Sequence, residues 1–167
     1  MITLGIDPGT ARLGFGLVES GEPPTALDFG VIETSPSDTM PDRLVGIFDA
    51  VSSLILAHSP DVLAVEQLFF ARNVTTAIAV GQARGVVLLA AARAGVDVAE
   101  YSPSQVKHAV VGYGKADKHQ MQEMVRIILG LDVTPSPDDA ADALAIALCH
   151  DQRAAFASST AHASAIR

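Results

Sequence analysis

Asp7, Glu66 and Asp142 stand where a soluble chain normally excludes charge. Asp7 follows Ile2-Thr3-Leu4-Gly5-Ile6, Glu66 follows Val62-Leu63-Ala64-Val65, and Asp142 lies inside Ala140-Ala141-Asp142-Ala143-Leu144-Ala145-Ile146. A carboxylate in apolar surroundings is costly unless it is neutralised or paired, so acids gathered in such settings point to cations that hold them. Hard divalent cations such as Mg²⁺ take oxygen ligands, and a pair of them is common machinery for cutting phosphodiesters. The chemistry indicated is metal-dependent hydrolysis of nucleic acid.

The elements that must position these acids can be read from periodicity. Met1 to Ile6 predicts a strand broken at Pro8-Gly9, and Leu13 to Val18 and Ala26 to Thr34 predict two more, forming an antiparallel meander. Leu44, Ile47, Val51, Leu54 and Ile55 recur at helical spacing in a helix that stops before Pro60. Val62 to Val65 is apolar on both faces, as a central parallel strand requires. A long helix is expected over Val74 to Ala94, capped by Asn73 and Gly95, then a strand over Val96 to Tyr101. Short helices follow from Ser102-Pro103 through Val110 and from Asp117 to Leu129, and a last one opens at Ser136-Pro137 and runs through Cys149. The fold class is α/β, a mixed five-stranded sheet flanked by helices.

In such sheets the ligand crevice lies at the carboxyl ends of strands, where Asp7 and Glu66 both fall. In the last helix, Asp138 and Asp142 are four apart and Asp139 and Asp142 three apart, and helical spacing does not choose between the pairs. Acids in a first helical turn are also what the macrodipole favours. The turn Asp7-Pro8-Gly9-Thr10 lets backbone approach a phosphate closely.

Composition sets bounds. The chain has 167 residues and is 49% hydrophobic, enough for one domain with a full core. Its single cysteine, Cys149, excludes an internal disulfide framework and fits a reducing cytosol. No leader and no apolar stretch near ~20 residues is evident, so a cytoplasmic protein is expected. Residues 1–153 are expected to form the domain and 154–167 a disordered tail. A net charge of −8 argues against nucleic acid at first sight. Its distribution argues otherwise: residues 67–126 carry seven basic and four acidic groups, among them Arg72, Arg84, Lys107, Lys115 and Lys118. Only the local potential at a binding face attracts phosphate. Phe69 and Phe70, three and four residues after Glu66, place at least one aromatic at the crevice mouth, a platform or wedge for unstacked bases.

Gly5-Ile6-Asp7-Pro8-Gly9-Thr10, Glu66-Gln67-Leu68-Phe69-Phe70-Ala71-Arg72-Asn73, Gly81-Gln82-Ala83-Arg84-Gly85 and Asp139-Ala140-Ala141-Asp142-Ala143-Leu144-Ala145 together resemble the bacterial RuvC Holliday junction resolvase family, in order and spacing, to about His150. The resemblance implies an RNase H-like fold, a homodimer, and paired nicks across a four-way DNA junction that leave 5′-phosphate and 3′-hydroxyl ends. It implies catalytic and metal-binding roles for Asp7, Glu66, Asp139 and Asp142 with two Mg²⁺, or Mn²⁺. It also implies a junction-probing role for Phe69, DNA contacts by Lys107 and Lys118, and docking with a RuvA–RuvB branch-migration complex. Asp138 is then an additional neighbour.

Three other readings compete. An actin-like ATPase module shares the Asp-x-Gly-Thr start but needs a second lobe and phosphate loop, and Asp28-Phe29-Gly30 falls inside an expected strand. A junction-binding protein without catalysis would not need all four acids. A nuclease acting on ribosomal RNA precursors would leave the aromatic pair unexplained.

Overall fold

The computed structural model describes residues 1–67 and 74–165. Strands β1 (Ile2–Asp7), β2 (Arg12–Glu19) and β3 (Thr25–Glu33) precede helix α1 (Met40–His58), β4 (Val62–Glu66), α2 (Val74–Ala94) and β5 (Asp97–Tyr101). Helices α3 (Pro103–Val111), α4 (Lys118–Ile128) and α5 (Asp138–Ala165) complete the order. The sheet runs β3-β2-β1-β4-β5, antiparallel from β3 to β1 and parallel from β1 through β4 to β5.

Strand alternation splits the core in two. Leu4, Ile6, Leu13, Leu17, Leu63 and Val65 face one side, packed with Ile47, Val51 and Ile55 of α1 and Ala83 and Val87 of α2. The residues between them face α5: Val18 and Ala64 join Leu144, Ala145 and Cys149 there, with α3 and α4 packed outside through Val106, Val110, Met121 and Val125. Asp7 has the parity of Gly5, and Glu66 that of Ala64, so both acids sit on the α5 side. α5 lies close because Gly5 and Gly14 leave it room: a Cβ on either would run into the backbone carbonyl of Ala143 or Asp139.

The helix starts have local causes. Ser102 with Gln105, and Asp117 with Gln120, form capping boxes that begin α3 and α4. α5 begins at Asp138, and the Pro137 carbonyl accepts from Ala140 N at 3.0 Å, so Ser136 is not the cap that the sequence suggests.

Two further expectations change. The α5 backbone stays helical to Ala165, past Ala154 where a disordered tail was expected, because its alanines favour helix without needing an apolar stripe. In α2, the segment Ala77–Ala94 is by length and composition apolar enough to cross a membrane, where no such stretch was expected from the sequence. Its apolar residues serve two purposes: Ala83, Val87, Ala90 and Ala91 are buried, while Ile78 and Leu89 are 59% and 52% exposed.

Candidate metal-binding active site

β1 and β4 run parallel with Ile6 beside Val65, so the next pair in that register is Asp7 and Glu66 at the carboxyl edge of the sheet. α5 crosses this edge and supplies Asp142. The three acids line one cleft of about 240 Å³ together with Lys107 of α3 and Lys118 of α4. Its apolar wall includes Val106, Met121 and Ile146.

The electrostatics of the cleft are those of acids forced together. Burial, then Asp142, Glu66 and Asp139 in turn, push the Asp7 carboxyl up to about 7. Burial and Asp142 also raise Glu66, against the lowering effect of Lys107. Burial raises Asp142, and Lys118 opposes it. The cation already present is the Lys118 ammonium, which lies 3.4 Å from Asp142 Oδ2 and closer still to Asp138 Oδ2.

The donor set fits a hard divalent cation: all the converging acids offer oxygen, and their mutual repulsion is what such an ion would relieve. Among the described residues no three carboxylate, thiol or imidazole groups yet lie close enough to close on one ion. An ammonium, that of Lys118, lies among them.

The remaining residues singled out from sequence divide clearly. Asp139 does not line the cleft; its Oδ2 lies 3.9 Å from Arg12 Nη1, although its charge reaches Asp7. Lys107 Nζ donates to the Ala116 carbonyl at 2.9 Å, which fixes the ammonium at the cleft wall. Lys115 is exposed and outside the lining. Arg84 is not brought to the cleft. It lies on the α2 side, 16% exposed, with Nη2 2.5 Å from Glu100 Oε2 and a buried Nε that has no partner among the described residues. Phe69, Phe70 and Arg72 lie outside the described residues.

Two residues were missed. Arg12 joins Asp139 to Glu33, with Nε 3.1 Å from Glu33 Oε1; its only signal in sequence is its position just after the Asp7-to-Thr10 turn. Asp138, which spacing left open and the resemblance made only a neighbour, is the principal partner of Lys118.

Comparison with known proteins identifies the family. The family model described as crossover junction endodeoxyribonuclease RuvC matches residues 3–150. The curated protein of that name from Thermomicrobium roseum is 58% identical over 152 residues, covering 91% of this chain and 93% of its own length. The one from Heliobacterium modesticaldum is 57% identical over 150 residues, with 89% and 93% covered. Among solved structures, T. thermophilus RuvC in complex with Holliday junction substrate superposes with a TM-score of 0.86 at 40% identity, over 93% of this chain and 96% of that one. A yeast mitochondrial Holliday junction resolvase, 15% identical with a TM-score of 0.63, shares the fold. The sheet order and its covering helices are therefore RNase H-like, and the chain belongs to the crossover junction endodeoxyribonuclease RuvC family.

Proposed function

We propose that this protein resolves four-way DNA junctions by paired, metal-dependent nicks near the crossover, leaving 5′-phosphate and 3′-hydroxyl ends. The observation that carries the reading is the convergence of Asp7, Glu66 and Asp142 with Lys107 and Lys118 in one cleft. Acids and lysines together suit a site that must hold cations and a phosphate strand at once. The similarity to T. thermophilus RuvC, whose structure is in complex with Holliday junction substrate, supports the choice of a branched DNA.

In this reading Asp7, Glu66, Asp139 and Asp142 would hold Mg²⁺, two ions by the family resemblance. When bound, the ions supply an activated water and a counter-charge for the leaving oxygen. Asp7 and Glu66, on rigid neighbouring strands, fix the donor geometry, and α5 sets Asp142 against them. Lys107, anchored on Ala116, and Lys118 orient the scissile phosphate. Arg12 holds Asp139 near the edge of the site. Phe69 and Phe70 would meet unstacked bases beside Glu66, and Arg72 and Lys115 would add backbone contacts. For Arg84 the ion pair with Glu100 favours a role in anchoring α2 over a phosphate contact.

Paired nicks need two sites, and α2 supports a homodimer. Ile78, Gln82, Gly85, Leu89 and Ala92 are exposed at alternating spacings of four and three, one continuous stripe with a single polar side chain. A Cβ at Gly85 would meet nothing within 4 Å, so a second helix can approach there. For a RuvA–RuvB complex as partner the support is the family resemblance. A nuclease whose substrate is chromosomal DNA works in the bacterial cytoplasm, and we place its action there.

The test offers a mobile four-way junction, linear duplex and an RNA–DNA hybrid to the wild type and to Asp7→Asn, with Mg²⁺ titrated. We expect symmetrical nicking of the junction alone, and an Asp7→Asn protein that binds the junction but cuts about a hundredfold more slowly or worse. Cleavage of the hybrid, or undiminished cutting by Asp7→Asn, overturns the reading.

A further inference from the structure

Lys118 is the first residue of α4, and the capping box of Asp117 and Gln120 fixes its backbone. Its ammonium has two acids within reach, Asp142 in the cleft and Asp138 one turn earlier on the same face of α5. Asp142 lines the cleft and Asp138 does not. Asp138 is the closer partner.

An ammonium lying on a metal-binding carboxylate competes with the metal for it. Once a divalent cation occupies Asp142, the ammonium faces like charge at short range and must leave. With no second acid it would swing into solvent, losing its aim at the cleft. Asp138 gives it a place one helical turn away.

We propose that Asp138 is a positioning residue: it holds the Lys118 ammonium at the rim of the cleft, so that Asp142 is left to the divalent cation and the ammonium to a DNA phosphate. This rests on the reading of the cleft as a cation site. The alternative is that Asp138 acts only as a first-turn helix acid or a remote negative charge, with no dependence on Lys118.

The two are separated by Mn²⁺ binding to the full chain without DNA, followed by electron paramagnetic resonance, with a double-variant cycle isolating what depends on Lys118. The proteins are wild type, Asp138→Asn, Asp138→Glu, Lys118→Gln and the Asp138→Asn/Lys118→Gln double variant. Asp138→Asn is expected to weaken Mn²⁺ binding roughly three- to fivefold, the scale of one partly exposed ion pair. Asp138→Glu is expected to bind as the wild type does, and Lys118→Gln more tightly. In the Lys118→Gln background the loss from Asp138→Asn is expected to vanish. An equal loss in both backgrounds, or none in either, overturns the proposal while leaving the cation site in place. A wild type that takes up no Mn²⁺ overturns the reading of the cleft, and the proposal with it.

Discussion

At Asp7, burial and three neighbouring carboxylates all act against ionisation, and the consequence is a stability that depends on pH. Its carboxyl rises from 3.8 to about 7 on folding. The folded protein therefore binds this proton more tightly than the unfolded chain, and the stabilisation is fully present below pH 4 and lost as pH rises through about 7. At about 1.4 kcal/mol per pKa unit, this amounts to at most about 4–5 kcal/mol for Asp7 itself. Metal-free protein should thus unfold at a lower temperature at pH 8 than at pH 5.5 by calorimetry. Mg²⁺ should restore the loss, and Asp7→Asn should flatten the dependence. A wild-type profile as flat as that of Asp7→Asn would show that the acids are not in conflict. Asp7 and Glu66 could be singled out from sequence because each ends an apolar run. The partners of Lys118 and Asp139 could not, since those contacts join residues on different elements.

The element that assembles the site is α5, and what allows it to do so is the absence of side chains on the strands beneath it. A Cβ at Gly14 would collide with the Asp139 backbone, and one at Gly16 with Leu144. Gly14→Ala must therefore push the first turn of α5 away from β2, carrying Asp139 and Asp142 with it. We expect a loss of about 1–3 kcal/mol in urea unfolding, as overpacking typically costs. Half-saturation by Mg²⁺ should rise at the same time, whereas a substitution that only destabilised the protein would leave it unchanged. The bounds of α2, Val74–Ala94, were legible from periodicity and the following Gly95, while the Asn73 cap lies outside the described residues. The close seat of α5 was not, because a glycine in a strand marks a turn, a bulge or a close approach equally well.

Across the whole molecule, the exposed stripe of α2 lies on the outer side of the helix from the buried Ala83 and Val87. In a two-fold dimer each substitution counts twice. If this stripe is the seam of the homodimer proposed above, Leu89→Glu, which takes a leucine from each side of the seam and adds facing charges, should raise the dimer Kd by about a hundredfold or more, as read by sedimentation equilibrium. Junctions should then receive single, uncoupled nicks in place of paired ones. A dimer as tight as the wild type's would move the interface elsewhere. The net charge of −8 is reconciled with DNA binding at this scale too, since the lysines of α3 and α4 are gathered on the side of the sheet that carries the acids.

The amino-acid sequence by itself determined the order of elements, the strand ends that carry Asp7 and Glu66, and the family, because these rest on local periodicity and on motifs contiguous in the chain. Only the tertiary structure decided which acid faces which cation. It seats Lys118 between Asp138 and Asp142, ties Asp139 to Arg12, and turns Arg84 away toward Glu100. The physical reason is range: periodicity reports which face of its own element a side chain occupies, whereas a charge acts through space on whatever the fold brings within a few ångströms.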